Sequence, residues 1–140
     1  MTPRLIIIAT VICATLAVPA WGAELVIVNT AATDTGVSKD VLKALYNGRK
    51  RSLPSGARVE ILDLDGAVHD RFVTDMLDSS PAQYTTYWQR LVFTGQGKLP
   101  RVFASEKDLV AYVAATPGAI GYIDSATAHD GVKVLTITSE

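Results

Sequence analysis

The stretch Y-W-Q-R-L-V-F-T-G-Q-G-K-L-P at residues 87–100, followed after four residues by S-E-K-D-L-V-A-Y-V-A-A-T-P-G-A-I-G-Y-I-D at 105–124, decides the fold. Its first part is a helix closed by Gly95 and Gly97, then a linker with Pro100. Ser105-Glu106-Lys107-Asp108 is a capping box, and the helix it opens turns Leu109, Val110 and Val113 inward before Pro117-Gly118 stops it. Residues 119–123 then make a short apolar strand.

Working outward, Leu25 to Val28 is a continuous apolar run that reads as a buried strand, followed by Asn29 and a polar loop. Ser38 starts a helix with Val41, Leu42, Leu45 and Tyr46 on one face, ending at Asn47-Gly48. A turn at Leu53-Pro54-Ser55-Gly56 leads to a second strand from Arg58 to Leu64. Asp65-Gly66 opens a helix to about Asp78, with Val68, Phe72, Met76 and Leu77 as its buried stripe. Ser80-Pro81-Ala82-Gln83 is a second capping box, and its helix carries Tyr84, Trp88, Leu91 and Val92 inward, leaving Tyr87 and Arg90 off the stripe. Residues 132–137 form the last strand, after a turn with Asp130-Gly131. The pattern predicts one α/β domain with a mostly parallel sheet of about four or five strands flanked by four helices. Ligands of such sheets sit at the carboxyl ends of the strands.

Residues 1–23 read as a secretory signal: Arg4 gives a positive start, residues 5–18 are nearly all apolar, and small residues follow at Ala20, Gly22 and Ala23. The apolar run is short for a membrane span, which needs roughly 20 residues. Cleavage between residues 20 and 23 and a periplasmic domain of residues 24–140 are therefore expected. Cys13, the only cysteine, lies in that run, and Thr10-Val11-Ile12 before it lack the small residue a lipoprotein signal uses, so the mature part is expected to carry no thiol, disulfide or lipid anchor. With two histidines and no cysteine left, thiol catalysis and a zinc finger are excluded, and no cofactor is expected. A net charge of −1 with both signs dispersed offers no nucleic-acid surface. The basic run Arg49-Lys50-Arg51 follows a helix end, where the helix dipole favours it.

The chemistry falls to the strand-to-helix junction Asp63-Leu64-Asp65-Gly66-Ala67-Val68-His69, where free helix N–H groups and the dipole favour an anion. Taken simply as structure, Asp65 caps the helix and Gly66 permits the turn.

The P-G-A-I-G-Y strand and the helix end Leu45-Tyr46-Asn47-Gly48 resemble the phosphate-type substrate-binding proteins of ABC transporters, over nearly all of residues 24–140. The resemblance implies one lobe of a periplasmic binding protein, phosphate or another small oxyanion as ligand, and a membrane transporter as partner. It implies no enzyme. The ligand residues would be Asn29, Thr30 and Thr33 at the first junction and Asp65, Gly66, Ala67, Val68 and His69 at the second. The family signature resembles R-x-D-G-S-G-T. Asp65 and Gly66 match it, while Asp63 stands for the Arg, Ala67 for the Ser, Val68 for the second Gly and His69 for the Thr.

Two other readings follow from those departures. A lobe of about half the usual length, without the phosphate-holding hydroxyls, is also suited to be a protein-interaction module, with self-association supplying the missing surface. The third reading rests on Ile61-Leu62-Asp63-Leu64-Asp65-Gly66, which is similar to the first motif of haloacid-dehalogenase-type phosphatases. There Asp63 would attack phosphorus, Asp65 would serve as acid and base, and Mg²⁺ would lie between them.

Overall fold

A computed structural model describes residues 24–139. The expected signal and Cys13 lie outside the described residues. The chain forms β1 (Glu24–Asn29), β2 (Gly36–Ser38), α1 (Lys39–Tyr46), β3 (Glu60–Leu64), α2 (Ala67–Asp75), α3 (Pro81–Phe93), β4 (Arg101–Phe103), α4 (Glu106–Ala115), β5 (Ala119–Asp124) and β6 (Val132–Thr138). One sheet of six strands holds them in the order β2-β6-β1-β5-β3-β4. β1 is antiparallel to both its neighbours, and the remaining three pairings are parallel. Five strands therefore run one way and β1 alone runs against them.

The expected α/β lobe is present, with two strands more than the apolar runs announce. β2 and β4 have three residues each, too few to show a period of two, and each forms an outer edge of the sheet. At the other extreme, β5 is buried along its first five residues, because β1 and β3 flank it and helices cover it.

The helices begin where their caps predict. Ser38, Ser80 and Ser105 each accept a hydrogen bond from the N–H three residues on, at Val41, Gln83 and Asp108. Each such cap contributes about 1 kcal/mol. Leu42, Leu45 and Tyr46 of α1, and Leu109, Val110 and Val113 of α4, all enter the core as expected. Burying each large apolar side chain contributes about 2 kcal/mol before entropy is subtracted. α2 ends at Asp75, short of Asp78, because Asp78 takes a left-handed φ of 49° while its carboxylate binds Lys39 and Lys43. In α3, Trp88 is buried and its indole N–H donates to Tyr46 O at 3.0 Å. Val92, expected inside, is 41% exposed, since the last turn of α3 runs past the edge of the core.

Gly118 shows where the backbone admits no side chain. Its φ is +83°, and a Cβ there would stand 2.9 Å from Arg58 O, while its own carbonyl accepts the Glu60 N–H at 2.8 Å. Gly118→Ala should lower stability by about 2 kcal/mol, read by urea denaturation, from backbone strain plus displacement of the β3 entry. A loss below half a kcal/mol would mean the turn is not held in this conformation.

Candidate functional site

Because five strands point the same way, the starts of α1, α2 and α4 gather at the edge where β2, β3 and β4 end. The first N–H groups of a helix have no partner within it. Ser38 and Ser105 cap α1 and α4, but α2 begins at Gly66, with φ 97° and no side-chain cap. Apart from the adjoining backbone, nothing lies within 4 Å of where a Gly66 Cβ would stand. The start of α2 is therefore open, with Asp65, Gly66 and Ala67 exposed and Val68 and His69 half-buried.

Behind that opening lies a closed polar network. Asp63 sits between Leu62 and Leu64 on a strand buried at its carboxyl end, and it is only 3% exposed. A buried carboxylate has to be hydrogen-bonded. Tyr84 Oη–H donates to Asp63 Oδ2 at 2.7 Å, and Tyr122 Oη–H donates to Asp63 Oδ1 at 3.0 Å. The Leu64 N–H donates to Tyr122 Oη at 3.0 Å, and His69 Nδ1 lies 2.7 Å from the same oxygen. A phenol has one proton and two lone pairs. With the proton given to Asp63 and one lone pair taken by Leu64, His69 Nδ1 carries a proton and fills the other.

Charge follows from that geometry. The Asp63 carboxylate, 3.7 Å from Nδ1, raises the His69 pKa above its ordinary value, against the opposing effect of burial. Burial first, and Asp63 second, push the hydroxyls of Tyr84, Tyr122 and Tyr46 far above the usual phenol range, so all three stay protonated. A histidine pKa raised on folding stabilises the fold fully below the unfolded value of about 6.5, and that contribution is lost as pH rises through the folded value. Denaturation midpoints should therefore fall on going from about pH 6 to pH 8, and His69→Gln should flatten that slope. An unchanged slope in the variant would place the titration elsewhere.

Much of this edge is acidic. Glu24, at the start of β1, and Asp124, at the end of β5, face each other across the sheet, and Arg71 of α2 binds both, at 3.1 Å and 2.6 Å. Asp65 and Asp70 are exposed beside the α2 start. A cavity of about 450 Å³ opens there, walled by Asp63, Asp65, His69, Tyr84, Trp88 and Leu99 among others.

The structure separates the residues expected to act together. Ile120 of β5 lies opposite Val28 on one side and Ile61 on the other, and β1 and β3 pass it in opposite directions. Asn29, Thr30 and Thr33 therefore follow at the amino end of β3, while Asp65 to His69 follow at its carboxyl end. Four strand residues alone place the two groups roughly 13 Å apart, so one small ion cannot touch both. Asn29 is moreover committed to the fold: its amide donates to Val113 O at 2.8 Å and Ala114 O at 3.2 Å, and its Oδ1 accepts the Ala31 N–H. Thr30 and Thr33 are exposed. The nucleophile role for Asp63 also fails on geometry, because both carboxylate oxygens are occupied by tyrosine hydroxyls in the interior, while Asp65 faces solvent. Among the described residues no group of three or more His, Cys, Asp or Glu is disposed to hold a metal ion. His129 is half-buried, with Nδ1 2.8 Å from Thr127 O.

Sequence reasoning did not bring Tyr84 and Tyr122 to Asp63. The usable signal was Asp63 itself, since a carboxylate inside the run Ile61-Leu62-Asp63-Leu64 must find donors from distant parts of the chain.

No family model and no curated protein matches the chain. Solved structures do match. An ABC-type phosphate transport receptor from Vibrio cholerae is 16% identical with a TM-score of 0.55, over 83% of this chain and 46% of that one. A Clostridium perfringens protein described as a phosphate ABC transporter substrate-binding protein, with bound phosphate, is 15% identical with a TM-score of 0.64, over 83% and 45%. PstS from Borrelia burgdorferi is 18% identical with a TM-score of 0.55, over 84% and 48%. The likeness shows the fold: this chain is built like one lobe of such binding proteins and spans just under half of their length.

Proposed function

We propose that the chain is an exported solute-binding lobe of the phosphate-transport type and that it holds a small oxyanion at the open start of α2. The observation that carries this reading is the uncapped helix start at Gly66, set at the carboxyl edge between helices that cap themselves. The backbone donors of Ala67, Val68 and His69 and the helix dipole supply the attraction. Asp63, Asp65 and Asp70 oppose it, so affinity is modest and rises as His69 becomes charged. Phosphate should raise the melting temperature of the mature chain, more at pH 6 than at pH 8, and a ligand at 100 times its dissociation constant adds about 2.7 kcal/mol. Ala67→Glu, which places a carboxylate at the donors, should abolish the shift. No shift with phosphate or sulfate at either pH would sink the reading.

A second reading, an interaction module without solute binding, is favoured by apolar side chains left in solvent. Phe93 at the end of α3 is 93% exposed, and Leu99, just before the edge strand β4, and Val102, within it, are 58% and 60% exposed. It requires a mass in solution that rises with concentration and returns to the monomer value in Phe93→Ser.

A further inference from the structure

A second cleft lies on the other flank of α3. It has a volume of about 620 Å³, runs between the end of α1 and the first three turns of α3, and is closed at one end by the α2–α3 turn. Of the residues around the cavity beside Asp63 it shares only Tyr84. Its size falls within the range of roughly 300–1,000 Å³ typical of small-molecule sites.

The lining fixes the chemistry. Tyr84 and Tyr87 stand one turn apart on α3, and both hydroxyls are already used, Tyr84 donating to Asp63 and Tyr87 donating to Asn47 O at 2.7 Å. What they add to the cleft is ring surface, together with Leu77 and Ala82. The charges are unequal. Lys43 and Arg90 stand on facing helices, and the one carboxylate in the lining, Asp78, is bound by Lys39 at 2.9 Å and by Lys43. The two lysines together exceed the charge of Asp78, and Arg90 makes no ion pair among the described residues. Positive charge in excess beside aromatic and apolar lining favours an anion that carries an apolar ring. Gln83 and Arg90 are seven residues apart on α3, about 10 Å along the axis, close to the length of a two-ring molecule.

We propose that this cleft binds an anionic ring compound of about two fused rings, its rings against Tyr84 and Tyr87 and its carboxylate or sulfonate toward Arg90 and Lys43. The site is independent of the oxyanion at α2, which sits on the far flank of α3 and touches none of these cations.

8-Anilinonaphthalene-1-sulfonate is the probe, followed by its fluorescence with the full mature protein. Saturable binding of one dye per chain is expected. Arg90→Glu reverses an exposed charge without entering the core and should weaken binding by roughly tenfold or more. Ala82→Trp, also at an exposed position, should abolish binding by filling the cleft. Phe93→Ser should leave it unchanged, and millimolar phosphate should not displace the dye. The proposal is overturned if the dye does not saturate, if Arg90→Glu and Ala82→Trp bind as well as the parent, or if Phe93→Ser removes the signal. A phosphate-induced melting shift that survives in Ala82→Trp separates the two sites, and dye displaced by phosphate would overturn their independence.

Discussion

Asp63→Ala should lower the stability of the domain by about 3 kcal/mol, a fall in melting temperature on the order of 10 °C. The loss does not come from the carboxylate's own attraction, which is offset by the cost of burying it. It comes from what stays behind: the hydroxyls of Tyr84 and Tyr122 lose their acceptor in the interior, and the His69 imidazole loses the anion facing it. The pH dependence should change with the same substitution. Without Asp63 the His69 pKa falls back toward its ordinary value, so the loss of stability between pH 6 and pH 8 should shrink. Asp65→Ala, two residues on and in solvent, should cost less than about half a kcal/mol. Equal effects of the two substitutions would show that the tyrosine pair does not depend on Asp63.

Phe72→Ala should be at least as damaging, by about 4 kcal/mol in urea denaturation. Phe72 is fully buried, stacks on Tyr122 with ring centroids 3.7 Å apart and planes within 5°, and meets Tyr46 edge-on at 4.9 Å. It thereby supports from below the ring whose hydroxyl organises Asp63, Leu64 and His69. The variant should lose more than the cavity explains, because Tyr122 gains freedom to leave its hydrogen bonds. Phe72→Leu, which keeps most of the volume but not the stacking, separates the two contributions. A cost near zero for Phe72→Leu would assign the whole effect to volume.

The helices were legible in the sequence because each carries its own punctuation. Ser38, Ser80 and Ser105 are local signals, and local signals survive in any tertiary context. The turn into α2 was also legible, at Gly66, but Asp65, read there as the cap, makes no capping bond. The direction of β1 was not, since the run Leu25 to Val28 is equally apolar whichever way it enters the sheet. That missing sign is why Thr30 and Asp65 were expected at one site and stand at opposite ends of the sheet. The Asp63 network escaped for a related reason. Its members, at positions 63, 69, 84 and 122, come from a strand, two helices and another strand, and no spacing rule joins them. The α1–α3 cleft was missed because its rings lie on and beside a stripe read only as core.

The placement of β1 also governs the order in which the domain forms. Its two neighbours, β5 and β6, are the last of the described strands, and Glu24 pairs with Asp124 across a loop of 99 intervening residues. Contacts so far apart in sequence carry a loop-closure cost before they return any stabilisation. Among the described strands, β1 thus stays unpaired until β5 and then β6 arrive, and the centre of the sheet closes late. Shortening the chain before Ala119 removes both partners of β1 at once, whereas ending it after Asp124 leaves β5 alone to hold it.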